Sequence, residues 1–186
     1  MWKSPATRKC GHMLCGDRVS LRLVREQDLA VLHAFETNLD SRGSFFPLGV
    51  RSQSALRAEF DRNGLWDRDE GLLLITTPDE IVGEIEFFPI THYLVGYEIS
   101  YQLFGDHHAG HGYTSEAVKL LVDYLFGLKR VNRLQLNIHP DNQASRRVAE
   151  KCGFSFEGVM RGAWFHRGAY RDLEIWSLLR DEVITR

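Results

Sequence analysis

The sequence predicts an α/β fold, a mixed α+β sheet layered with helices, and three observations carry that reading. Between Gly71 and Phe104, three β-rich runs, "GLLLITT", "EIVGEIEFFPI" and "YLVGYEISYQLF", follow one another with turn-prone pieces between them. That is the pattern of successive antiparallel strands. From Thr114 the apolar residues recur at the helical period of about 3.6. A strand, a short helix and two further β-rich runs then close the chain, giving the order β, α, α, β, β, β, α, β, α, β, β.

The first strand is "RVSLRLV" (Arg18–Val24), which alternates apolar and polar residues. A helix is expected over "EQDLAVLHAFETNL", with Leu29, Leu32, His33 and Glu36 at helical spacing. "SRGSFFPLG" reads as irregular because glycine and proline interrupt it. "SQSALRAEFDRNGLW" predicts a second helix, with Ser52 or Ser54 as N-cap and Gly64 as its stop. In the helix that opens at Thr114, Ala117, Leu120, Leu121, Tyr124, Leu125 and Leu128 form the expected apolar face. "RLQLNIH" follows as a strand, and "NQASRRVAEKC" as a helix closed by Gly153. The last strands, "FSFEGVMRGAWFH" and "AYRDLEIWSLL", meet at a hairpin turn at Arg167–Gly168. Residues 1–15 are expected to form a flexible N-terminal arm. Residues 16–186 are expected to be a single domain, since 186 residues with 44% hydrophobic content suit one core.

A formal charge of −2 gives no basic excess to attract nucleic acid. No apolar run approaches the roughly eighteen residues that cross a bilayer, and the start lacks the apolar stretch of a secretory signal. A soluble, cytoplasmic protein without nucleic-acid or membrane partners is expected. Three cysteines, an odd number, argue against a disulfide framework. Cys10, His12 and Cys15 lack a second ligand pair at usual spacing, so no metal site is expected.

The stretch "HHAGHGYTSEAVKLL" (His107–Leu121) carries the chemistry. Gly110 and Gly112 let the backbone turn tightly and approach a ligand. The unpaired amides at the mouth of the following helix suit an anion, most often a phosphate. A dinucleotide fingerprint fails, because Ser115 stands at its third glycine and "LKRVNR" lacks the acid expected about 20 residues on. A Walker-type loop fails too, since one residue separates the glycines and no lysine follows.

"HHAGHGY" is similar to the acetyl-CoA loop, Q/R-x-x-G-x-G/A, of the GNAT N-acetyltransferase superfamily. "GHGYTSEAVKLLVDYLF", "NIHPDNQASRRVAEKCGF" and "EGVMRGAWFHRGAYRDLEIWSLLRDE" resemble, in order, its RimJ/RimL-like subgroup, the ribosomal-protein N-terminal acetyltransferases. The resemblance covers about Gly16 to Glu182. His107 departs from it, standing where the family usually has Gln or Arg. The resemblance implies a mostly antiparallel twisted sheet of about seven strands, with helices on both faces and a splay between the fourth and fifth strands. It implies acetyl-CoA as donor, with no metal.

By the same resemblance, the segment of His107, Ala109, Gly110, His111, Gly112, Tyr113 and Thr114 would hold the pyrophosphate, aided by the helix dipole. Backbone at Gln102 and Leu103 would meet the pantetheine arm. Glu98 matches the strand carboxylate that many relatives use as base; read alone, it is an ordinary strand residue. Asn142 and Ser145, from "DNQAS", match helix-start residues that reach the coenzyme. Asn142 equally suits a helix cap, and Ser145 would donate to the departing thiolate. Arg147 points to a phosphate contact or a solvated helix face. Tyr170, Arg171 and Asp172 fall in the last hairpin, as structural or acceptor-lining residues. Phe45, Phe46 and Trp66 wall the acceptor site or fill core, His108 is expected at the surface, and Cys152 is expected to be a small buried residue.

The implied function is acetyl-CoA-dependent N-acetyl transfer to a primary amine, foremost the N-terminal α-amine of a protein or peptide. An α-amine with a pKa near 7.8 is roughly 10–15% neutral at pH 7, against about 0.04% for a lysine. A polyamine or amino-containing antibiotic is the alternative acceptor, and a non-catalytic acyl-CoA-binding module the alternative class. A polycation calls for a carboxylate-rich pocket, a protein N-terminus for an open groove. Edge strands of the last hairpin allow a homodimer.

Overall fold

The computed structural model describes residues 11–40, 42–47, 49–91 and 95–184; residues 1–10 of the expected arm lie outside that set. The strands are β1 (Leu14–Cys15), β2 (Ser20–Leu23), β3 (Gly71–Thr76), β4 (Ile81–Pro89), β5 (Gly96–Leu103), β6 (Arg133–Ile138), β7 (Ser155–His166) and β8 (Ala169–Leu179). The helices are α1 (Leu29–Thr37), α2 (Gln53–Asn63), α3 (Tyr113–Leu128), α4 (Gln143–Cys152) and α5 (Arg180–Ile184). Local chemistry sets several ends. The Ser52 hydroxyl accepts from the Ala55 amide at 3.2 Å to start α2, and Gly64, at φ 67°, stops it. Gly153, at φ 84°, stops α4, as a left-handed cap requires.

The sheet runs in the order β1-β2-β3-β4-β5-β6-β8-β7. Every pairing is antiparallel except β5 with β6. That parallel pair holds only from Gly96–Glu98 to Arg133–Gln135. Beyond it, β5 as far as Leu103 is paired with β4 alone, so the sheet splays where the fourth and fifth predicted strands part. Among the described residues the count is eight, one more than expected, because Leu14 and Cys15 pair with Leu21 and Ser20. The arm therefore gives up its last two residues to the sheet. Glu116 of α3 accepts from the Asp17 and Arg18 amides and holds that turn.

Alternation along the strands feeds two cores. On one face Leu21, Leu73, Ile75, Ile85, Phe87, Leu134 and Leu136 pack with α3 and α4. On the other, Leu72 and Leu74 pack with Leu29, Leu32 and Leu56 of α1 and α2. Each such side chain, taken fully from water, contributes roughly 1.5–3 kcal/mol. The buried stripe of α3 is Ala117, Val118, Leu121, Val122, Leu125 and Phe126, and Leu120 and Tyr124 of the expected face pack beside it, partly buried. Leu128, placed in the apolar face, is 73% exposed. Two adjacent rows spaced by four residues, 117–121–125 and 118–122–126, meet the core together, and Leu128 lies off both. α5, absent from the sequence reading, begins with Arg180, whose guanidinium donates to the carbonyls of Phe126, Lys129 and Val131. It fastens the α3–β6 connection. Among the described residues no helix is long and apolar enough to cross a membrane.

Candidate active site

Strand register decides which side chains meet. Glu84 faces Gln102, Glu86 faces Ser100, and Phe88 faces Glu98 across β4 and β5. Because Leu74 and Leu72 pair with Glu84 and Glu86, this polar band shares the face covered by α1 and α2. Where β5 and β6 part, a cavity of about 450 Å³ opens. Glu98, Tyr101, Gln102 and Leu103 line it from β5, and Leu136, Asn137 and His139 from β6 and its end. Asn142, Ser145 and Val148 of α4, Phe45 and Phe46 of the α1–α2 connection, and Trp164 of β7 complete its walls.

Glu98 sits at the fork. Burial pushes its carboxyl up to about 7, the Glu86 charge adds to that rise, and a hydrogen bond from Asn137 opposes it. Among the described residues the Tyr101 hydroxyl is buried without a hydrogen-bond partner. Burial raises its pKa and keeps it protonated, while the nearby Ser145 pulls the other way. Gln102 donates to the Arg42 carbonyl at 2.7 Å, yet its own Oε1 is buried and unpaired, as are Arg42 Nε and Glu84 Oε2. Burial lifts the Glu84 carboxyl to about 8. Asn142 makes the helix cap, its Oδ1 accepting from the Ser145 amide at 3.0 Å, and both residues still line the cavity.

The loop before α3 has the conformation its glycines allow. Gly110 is at φ 82° and Gly112 at φ 81°, a region that costs other residues about 1 kcal/mol or more. Gly112 caps α3 without a side-chain hydrogen bond, so no capping side chain occupies the amides of the first turn. The Arg18 guanidinium lies 3.4 Å from where a Gly112 Cβ would stand, placing a cation beside them. Uncapped amides, a glycine cradle and that cation fit the pyrophosphate of a coenzyme A.

Of the expected site residues, Glu98, Gln102, Leu103, Ala109, Thr114, Asn142 and Ser145 line the cavity. His107, Gly110, His111, Gly112, Tyr113 and Arg147 lie outside its walls. His108, expected at the surface, is 6% exposed, because the short 3₁₀ turn Asp106–His108 tucks it inward. Trp66 stacks edge-on against Phe87 and Tyr124 away from the cavity. Asp172 accepts from the Gly162 amide at 2.8 Å, and Tyr170 is 74% exposed. Cys152 is buried, with its thiol pushed up to about 11 by burial, which suits an inert residue. Sequence reasoning missed Arg18, Arg42, Tyr101, Asn137, His139 and Trp164. Tyr101 and Asn137 carried a weak signal, being polar residues where the two central strands would part.

Residues 18–155 match the acetyltransferase (GNAT) domain family. An uncharacterized N-acetyltransferase of Bacillus licheniformis is 33% identical over 110 residues, which span 59% of this chain and 61% of that relative. Spermidine N(1)-acetyltransferase of Escherichia coli (strain K12) is 26% identical over 155 residues, 83% of this chain and 82% of that one. A solved structure of RimL, a ribosomal α-N-protein acetyltransferase in complex with coenzyme A, superposes with a TM-score of 0.75 at 25% identity. The superposition covers 90% of this chain and 97% of that one.

Proposed function

This chain belongs to the acetyltransferase (GNAT) domain family, and on that premise we propose that it transfers the acetyl group of acetyl-CoA to the α-amine at the start of a protein or peptide. Acetyl-CoA supplies an activated acetyl thioester. The uncapped amides at the start of α3 and the nearby Arg18 would hold its phosphates, and the parted edge of β5 at Gln102 and Leu103 would align its arm. Glu98 takes the proton from the attacking amine. The Ser145 hydroxyl hydrogen-bonds the departing sulfur, with the protonated Tyr101 hydroxyl beside it as a proton source. One C–N bond forms and one C–S bond breaks; Tyr101 gives its proton to the sulfur and regains one from water, while Glu98 passes the amine's proton to water, so amide and free thiol form with no net change in protons.

One observation carries the choice of acceptor. Of the cavity-lining residues, the carboxylates are Glu98 and the exposed Asp106, while Arg42 adds a positive charge. Phe45, Phe46, His139 and Trp164 form aromatic walls. That lining suits one partly neutral amine followed by an apolar or neutral residue, and it disfavours a polycation. The relatives named for spermidine and for a ribosomal protein make the comparison of acceptors direct. Thiol release from acetyl-CoA with short α-amino peptides should exceed that with spermidine in kcat/KM. A higher kcat/KM for spermidine would reject the α-amine reading.

A further inference from the structure

Outside the cavity walls, Glu80, His107 and His108 each bring a ligand atom to one place, all three lying within 4.8 Å of one another. His108 Nδ1 is 4.0 Å from Glu80 Oε1. Glu80 belongs to the turn between β3 and β4, closed by the Thr77 amide on the Glu80 carbonyl at 2.9 Å. The histidines occupy the 3₁₀ turn just before the glycine loop. Consecutive residues of a helical turn normally point apart. Here Gly105, at φ 115°, lets the His107 ring fold back, so that a Cβ at position 105 would lie 2.8 Å from its Cε1. The two imidazoles thereby sit side by side, 3.8 Å between centroids.

We propose that Glu80, His107 and His108 form a binding site for a divalent transition cation, with Zn²⁺ as the fitting probe. Two imidazoles and one carboxylate are a zinc donor set that leaves a coordination position open. Mg²⁺ and Ca²⁺ prefer oxygen ligands throughout. Tetrahedral bonds of 2.0–2.1 Å place ligand atoms about 3.3 Å apart. His108 is the fixed member, 6% exposed, while Glu80 and His107 are exposed and close the remaining gap by side-chain rotation. A bound cation ties the β3–β4 turn to the loop that opens α3. The site stands independently of the acceptor and of the acetyl-transfer reading.

The test is calorimetric titration of untagged protein with ZnCl₂, for wild type, Glu80→Gln and His107→Ala. Both substitutions fall at exposed positions, so their melting curves in EDTA should match wild type. Wild type is expected to bind one Zn²⁺ at this site, with each variant weaker by at least about tenfold. Zn²⁺ should raise the thermal midpoint of wild type and leave those of the variants in place. Equal Zn²⁺ affinity in wild type and Glu80→Gln would overturn the site, as would Mg²⁺ binding as tight as Zn²⁺.

Discussion

Asn137 Nδ2 donates a 2.7 Å hydrogen bond to Glu98 Oε2 across the fork where β5 and β6 part. The bond favours the carboxylate, whereas burial and the Glu86 charge favour the neutral acid, and the balance leaves Glu98 at about 7. A carboxyl balanced there is half ionised at neutral pH, which suits a group that both accepts and releases a proton.

On the proposed mechanism, kcat/KM for a peptide acceptor should rise with pH through about 7, because only ionised Glu98 accepts a proton. Glu98→Gln should lower kcat/KM by about a hundredfold above neutrality and by much less at pH 5.5, where wild-type Glu98 is itself protonated. Steady-state profiles of both proteins check this; a variant with the wild-type profile removes Glu98 from the chemistry.

Asn137→Ala removes the bond that stabilises the carboxylate. Hydrogen bonds to charged groups contribute about 1.5–3 kcal/mol, so the Glu98 pKa should climb by about one unit or more. The acidic limb of the kcat/KM profile should move to higher pH, with the rate above pH 9 largely kept. An unmoved limb would show that Asn137 does not set that pKa.

Stability should fall as pH rises, in a window set by buried carboxyls. Glu84 has a folded pKa of about 8, above its ordinary value of 4.5, so the native state keeps a proton that the unfolded chain releases. Between pH 4.5 and 8 that difference costs up to about 1.4 kcal/mol per pH unit. Glu98 adds a loss of the same sign between 4.5 and 7. Glu84→Gln should lose less stability than wild type between pH 5.5 and 8.5 in urea unfolding. Parallel losses in the two proteins would refute the assignment.

Gly83 sits where a Cβ would overlap the Gln102 carbonyl oxygen and come within 3.0 Å of Leu103 Cα. Backbone cannot rotate aside as a side chain can, so Gly83→Ala should destabilise by about 1–3 kcal/mol. It should also raise the KM for acetyl-CoA, because β5 shifts at Gln102 and Leu103. Thermal unfolding and donor titration read the two effects separately.

Elements with strong local signals were legible in the chain. The Ser52 cap, the Gly64 and Gly153 stops and the Arg167–Gly168 hairpin all depend on residues a few positions apart. β1 has two residues and α5 has five, too short for a period to show. The stripe of α3 was legible as far as Leu125, with Leu120 and Tyr124 packed against the core, and failed at Leu128, because the last turn runs past the edge of the core. The same limit applies to the cavity. The motifs pointed to Glu98, Ser145 and the glycine loop, whereas Asn137, Arg18 and Arg42 meet their partners only through strand register and folding across the chain.

The gap between β5 and β6 leaves the edge of β5 that faces away from β4, along Ile99–Leu103, without a second neighbouring strand among the described residues. A slender guest bearing its own amides can ride that edge as a strand would. Acetyl phosphate or a clipped thioester, however reactive, has nothing to lay alongside it. On the proposed mechanism such a donor would reach the fork unaligned, and discrimination among acyl donors would reside in their stems and not in their reacting ends.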